Sequence, residues 1–243
     1  MAEEILELIL DAPPRNIIDS AMCERLLQQL RGCSESPPKA IVLRAQGEHF
    51  SFGASIEEHR SEPMREFLPR FHSVFRELCE QPAPVIAAVS GLCLGGAFEL
   101  VAACDLIIAD TTAQFAVPEI LLGVLPPVAC ALFPWKYGGS VASDLVLSGR
   151  RMGAEEAHVR GIVARLGDLE PTLNAFLSDE IRSRSASALR FARQALSGEQ
   201  RRRFLIDLQE QERFYLEEVM TSADAQEGIE AFLQHRAPNF GAG

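Results

Sequence analysis

Two glutamates stand alone in apolar surroundings, and acids placed that way can move protons. Glu99 is the only charge between Ser90 and Cys104, with Phe98, Leu100, Val101 and Ala102 around it. Glu119 follows Phe115, Ala116, Val117 and Pro118 and precedes Ile120, Leu121 and Leu122. Desolvating a carboxylate is costly unless it is paired or protonated. Burial therefore lifts its pKa toward the range where a side chain both gives and takes a proton near neutral pH. Two such acids brought together would repel, separate in pKa and divide into acid and base. Spacing alone leaves open whether they meet, and a structural carboxylate satisfied by backbone donors is the competing reading of Glu99.

The stretch SGLCLGGAFE, residues 90–99, adds a second kind of chemistry. A strand, a glycine pair and a helix start leave backbone N–H groups unpaired at the positive end of a helix. Such amides can hold a developing oxyanion. Neither G-x-G-x-x-G nor a Walker A loop is present, so a nucleotide-phosphate role lacks its fingerprint. A glycine pair at a strand-to-helix turn can equally be structural.

The elements that must position these groups follow from periodicity and punctuation. Residues 5–10, 40–44, 85–89 and 106–109 read as apolar strands. Asp19 or Ser20 caps a predicted helix with Met22, Leu26, Leu27 and Leu30 on one face. A second helix is predicted over 64–79, through Phe67, Phe71, Val74, Phe75 and Leu78, and a small-residue helix over 97–103. Residues 32–39 and 46–55 read as loops, and 90–96 as a glycine-bearing turn. Strand, loop and helix recur in order, which predicts an α/β fold with right-handed crossovers. From residue 140 onward the pattern reads as almost wholly helical, with amphipathic helices over 182–196 and 201–219.

Composition narrows the function classes. Of 243 residues, 47% are hydrophobic and 23% charged, enough apolar material for one substantial core. A formal net charge of -11 argues against a nucleic-acid surface. Six cysteines form no C-x-x-C pair and no zinc spacing, so no metal is expected. Free thiols in apolar runs point to a reducing, cytoplasmic setting. Residues 1–10 carry no basic n-region, and no apolar run is long enough to span a bilayer, so no membrane partner is expected.

Four blocks carry a resemblance to a known family: HFSFGASI (49–56), AAVSGLCLGGAFELVAACD (87–105), QFAVPEILLG (114–123) and EGIEAFLQHRAPNF (227–240). SGRRMGAEEAHVRGIV (148–163) adds a fifth. Together they resemble the crotonase superfamily, the enoyl-CoA hydratase/isomerase family, over nearly the whole chain. The resemblance implies a crotonase-like ββα spiral core over residues 1–189 with the acyl-CoA site. It also implies a C-terminal helical region over 190–243 that builds a homotrimer, or a homohexamer of two trimers. It implies an oxyanion hole from the N–H groups of Ala54 and Gly96, with Glu99 and Glu119 holding the attacking water. Arg15, Phe52, Ser55, Ile56 and Arg236 fall where relatives contact coenzyme A, which is part of the substrate, so no separate cofactor is expected. Arg236 is implied to reach across a subunit boundary.

Keeping both glutamates favours hydration of a conjugated acyl-CoA thioester within that family. An isomerase, a dehydratase of carrier-protein thioesters and a silent binding module are the alternatives. The segment Pro126-Pro127-Val128-Ala129-Cys130 departs from the glycine-rich stretch of ordinary family hydratases. There a glycine amide helps hold the water; Pro127 has no N–H to offer. This segment, residues 12–19 and residues 52–59 are similar to the branch that hydrates cyclic dienoyl thioesters in aromatic degradation. That similarity implies 1,4-addition, with hydroxyl on the β-carbon and the proton at the far end of the diene.

Other polar residues read as structural. Asp105 ends the small-residue helix, where a backbone-bonding role is expected. Arg201, Arg202 and Arg203 read as a solvated helix face. His49, His72, His158 and His235 lack a neighbouring nucleophile motif, so no triad is expected; His59 reads as a solvated surface residue.

Overall fold

The apolar runs bounded by turn residues become a parallel sheet. The computed structural model describes residues 4–33, 36–59 and 61–241, with the side chains at 59, 61 and 62 excepted, so the expectation for His59 lies outside the described residues. Strands β1 (Ile5–Leu10), β2 (Ala40–Ala45), β3 (Val85–Val89) and β5 (Leu106–Ala109) lie side by side in that order, all parallel. Every residue of β3 is buried, which explains its unbroken apolar reading.

Strand periodicity splits the core between two faces. Ile41, Leu43, Val85, Ala87 and Val89 pack toward helices α1 (Ser20–Gly32) and α2 (Ser61–Glu80) in one cluster. Ala40, Val42, Ile86, Ala88 and Ile108 meet Leu173 and Phe176 of helix α7 (Leu169–Phe176) in the other. Asp19, rather than Ser20, caps α1, its carboxylate accepting from the Met22 amide at 2.8 Å.

A second, three-stranded sheet was not legible beforehand. Strand β4 (Leu92–Leu94) occupies the predicted glycine turn and runs parallel to β6 (Gln114–Ala116), while β7 (Met152–Gly153) pairs antiparallel to β6. Strand β8 (Arg165–Leu166) closes the large sheet beside β5. Segments of two or three residues carry no periodicity, so only their partners reveal β4, β7 and β8. Residues beyond 140 are therefore less uniformly helical than expected.

The helical remainder begins with α3 (Gly96–Ala103), α4 (Pro127–Lys136), α5 (Gly139–Ser148) and α6 (Ala154–Val159). The two amphipathic helices expected over 182–196 and 201–219 are one continuous helix, α8 (Ala186–Glu217), followed by α9 (Ala223–Leu233). Residue 190, the expected start of the C-terminal region, lies in the first turns of α8. Arg201 corrects the solvated-face expectation: it is 9% exposed and faces Asp105 Oδ1 at 3.7 Å, whereas Arg202 and Arg203 are exposed. Asp105 has the expected structural role, accepting from the Val85 amide at 2.7 Å and Arg193 Nε at 2.6 Å. Among the described residues no cysteine forms a disulfide.

Candidate active site

Between β4 and α3, Gly95 turns the chain with φ of +54°. A Cβ at that position would sit 2.8 Å from Glu119 Oε1, so both backbone and contact demand glycine. The first intrahelical bond of α3 runs from the Glu99 amide to Gly95 O at 3.1 Å. The Gly96 amide is one of the helix's orphan donors.

The loop carrying Ala54 is fastened to β4 by Ser51, whose amide donates to Leu92 O at 2.9 Å and whose carbonyl accepts from Leu94 at 3.0 Å. Ile18 bonds to Gly53 O at 2.9 Å and receives from the Ser55 amide at 3.0 Å, stepping past the Ala54 amide. A Cβ built on Gly96 would lie 3.4 Å from Ala54 Cβ. The two loops therefore present neighbouring main-chain donors.

Glu99 projects from α3 to the N-terminus of α4 and is 2% exposed. Its Oε1 accepts from the Ala129 amide at 2.8 Å. Burial pushes its carboxyl up to about 7, with the Ala129 and Val128 amides pulling the other way. Pro126 and Pro127 set the start of α4, where a missing N–H costs the helix nothing.

Glu119 sits in the short 3-10 turn Pro118–Leu122. Burial first, and then the charge of Glu99, holds its carboxyl well above the ordinary range. Among the described residues its buried Oε2 has no hydrogen-bond partner. The nearby Cys130 thiol is pushed up to about 12 by burial and by both glutamates, so it stays neutral.

These groups line one cavity: Ala54, Gly96, Glu99 and Glu119, with Pro127, Leu125 and Tyr215, and with Met64, Phe67, Leu68 and Phe71 of α2. Its volume is about 20 Å³, room for about one water. A cavity of about 500 Å³ lies elsewhere, against Asp105, Trp135, Lys136 and Arg193. Its charges are spent on structure, because Lys136 donates to Ala102 O and Cys104 O and Arg193 is paired with Asp105. The smaller space is the chemically equipped one.

The residues expected at coenzyme A divide. Exposed Arg15 lies with its Cζ 6.0 Å from the Phe52 ring, two residues before Ala54. Ser55 is buried beside Ile18, and Ile56 packs against the main core. Arg236 is not among the cavity's lining residues; it pairs with Glu227, with Nη2 to Oε2 at 2.8 Å. Tyr215 and Leu125 were not predicted as site residues. Tyr215 sits in a charged helical stretch and Leu125 in a short apolar run after Gly123, and neither carries a local signal of chemistry.

The chain's α/β core brings two carboxyls into one cavity with Ala54 and Gly96, and the chain belongs to the enoyl-CoA hydratase/isomerase family, whose model matches residues 1–243. It is 40% identical over 238 residues to the cyclohexa-1,5-dienecarbonyl-CoA hydratase of Thauera aromatica, across 97% of this chain and 92% of that one. It is 31% identical over 245 residues to the 2,3-dehydroadipyl-CoA hydratase of Escherichia coli, across 98% and 95%. The fold matches the crystal structure of an enoyl-CoA hydratase from Mycobacterium avium subsp. paratuberculosis, with TM-score 0.88 at 23% identity over 99% and 96% of the chains. A Mycobacterium avium enoyl-CoA hydratase gives 0.84 at 28% identity, over 98% and 94%. The fold is thus the crotonase-like α/β fold with a long C-terminal helical region.

Proposed function

We propose that the protein adds water to a conjugated unsaturated acyl-CoA thioester. The observation that carries this reading is the sharing of one water-sized cavity by the buried Glu99 and the half-buried Glu119, whose Oε2 is enclosed, beside Ala54 and Gly96. In this scheme the two amides hold the thioester oxygen as negative charge develops on it. Glu99, whose ionised form is favoured by two backbone donors, takes a proton from water. The water oxygen bonds to the β-carbon, and Glu119, which keeps its proton more tightly, delivers that proton to carbon. One water is consumed, and proton transfer restores both carboxyls for the next cycle.

The finer reading is 1,4-hydration of cyclohexa-1,5-diene-1-carbonyl-CoA. Support comes from the 40% identity to the Thauera enzyme over 97% of this chain. Glu119 then protonates the far end of the diene. Arg15, Phe52, Ser55 and Ile56 would contact the coenzyme A portion. Phe191, Leu196 and Ile206 leave an exposed apolar face on α8 that suits a trimer or hexamer, in which Arg236 would reach a neighbouring site.

The test is a panel of cyclic and linear unsaturated thioesters, followed by product analysis, with Glu99→Gln and Glu119→Gln beside the wild type. Each variant should fold and lose roughly 100- to 10,000-fold in kcat. Full turnover by either variant would reject the pair's assigned role.

A further inference from the structure

A water poised between Glu99 and Glu119 needs a further ligand to aim its lone pair, and the backbone does not supply one. Pro127 lines the cavity without an N–H, and the Val128 and Ala129 amides are engaged by Glu99. The Ala54 and Gly96 amides are assigned to the thioester oxygen, and the side chains of the remaining walls are apolar except at one place. Tyr215 of α8, 1% exposed, brings the only side-chain hydroxyl to this lining among the described residues. No described residue hydrogen-bonds to that hydroxyl. At about 20 Å³ the space holds about one water, which the glutamates and Tyr215 enclose together.

We propose that the Tyr215 hydroxyl donates a hydrogen bond to the attacking water, in place of the amide that Pro127 cannot provide, and so is a catalytic residue of the hydration. This rests on the hydratase reading above and deepens it. The water's own proton goes to Glu99 as its oxygen bonds to carbon, and the proton of Tyr215 stays on the phenol throughout. Burial and the charges of Glu119 and Glu99 keep that phenol neutral, as a donor must be.

The turn of α8 that carries Tyr215 is tethered to α2. One turn before Tyr215, Glu212 accepts from His72 Nδ1 at 2.7 Å and Arg76 Nη2 at 3.3 Å. Residues three apart share a helix face. This tether therefore fixes the turn of α8 that covers the cavity, and α2 supplies the opposing Phe67 and Phe71.

The experiment compares full-length wild type with Tyr215→Phe on whichever thioester of the panel the wild type hydrates. Binding of a saturated acyl-CoA and the thermal midpoint are measured alongside. The expected result is a roughly 10- to 100-fold lower kcat, because a hydrogen bond to a charged, hydroxide-like oxygen is lost. KM, saturated-ligand affinity and midpoint should remain within about twofold or a few degrees, since the ring is retained. A kcat within twofold of wild type overturns the role of Tyr215 and leaves the hydratase reading standing. Loss of ligand binding together with kcat also overturns it, in favour of a packing role. A wild type that hydrates no thioester overturns the hydratase reading and this proposal with it.

Discussion

Replacing Glu99 with Gln keeps an oxygen to accept from the Ala129 amide while removing a titrating proton. In the folded protein the Glu99 carboxyl titrates at about 7 instead of its ordinary 4.5, because burial outweighs its two backbone donors. Between those values the folded state holds a proton that the unfolded state has released. Wild-type stability must therefore fall as pH rises from 4.5 to about 7, then level off for this group. At about 1.4 kcal/mol per pKa unit, the gap between 4.5 and about 7 corresponds to roughly 3 kcal/mol. The Gln variant lacks that loss. Its stability relative to wild type should rise by roughly 3 kcal/mol between pH 4.5 and 7, or by about 6 to 12 °C in thermal midpoint for a chain this size. Scanning calorimetry of both proteins at equal concentration across pH 4.5–8 measures it. A stability difference that stays flat with pH would refute the argument, because it would mean that Glu99 is as well solvated in the folded protein as in the unfolded chain.

Further expectations follow from the same geometry. The pH profile of kcat/KM should rise through about 7 as Glu99 ionises, and fall at higher pH as Glu119 loses its proton; a profile flat from pH 5 to 9 would contradict the division of roles. Gly95→Ala should cost activity and stability together, since the new methyl meets Glu119 Oε1 at 2.8 Å at a positive φ; unaltered kinetics would refute the close approach. Arg193→Ala leaves the Asp105 carboxylate short of a partner beside the Val85 amide and should cost about 3 kcal/mol, read as a lower midpoint in a melt. Leu196→Glu on the exposed face of α8 should shift sedimentation toward a smaller species if that face joins subunits; an unchanged assembly would place the interface elsewhere.

The legible parts were those whose physics is local. Strand β3 is buried on both faces, so its sequence is apolar without interruption and its limits can be read directly. Glu99 and Glu119 were conspicuous because a lone carboxylate among large apolar side chains demands compensation. Family blocks spread along the chain extended this to the Ala54 and Gly96 amides proposed for the oxyanion hole. Strand β4, by contrast, exists through its pairing with β6, twenty-two residues on, and three residues hold no period of their own. Arg201 reads like its exposed neighbours, and only the packing of α8 against the Asp105 corner makes it the buried one.

From the sequence alone came the fold class, the two acids and the loss of a donor at Pro127. Tertiary structure decided that the acids share a single water-sized space, that the α4 amides lean on Glu99 and leave Glu119 Oε2 without a partner among the described residues, and that a phenol ninety-six residues beyond Glu119 lines the same cavity. The reason is that a pKa and a hydrogen bond depend on what surrounds a group in space, whereas periodicity and propensity report only what surrounds it along the chain.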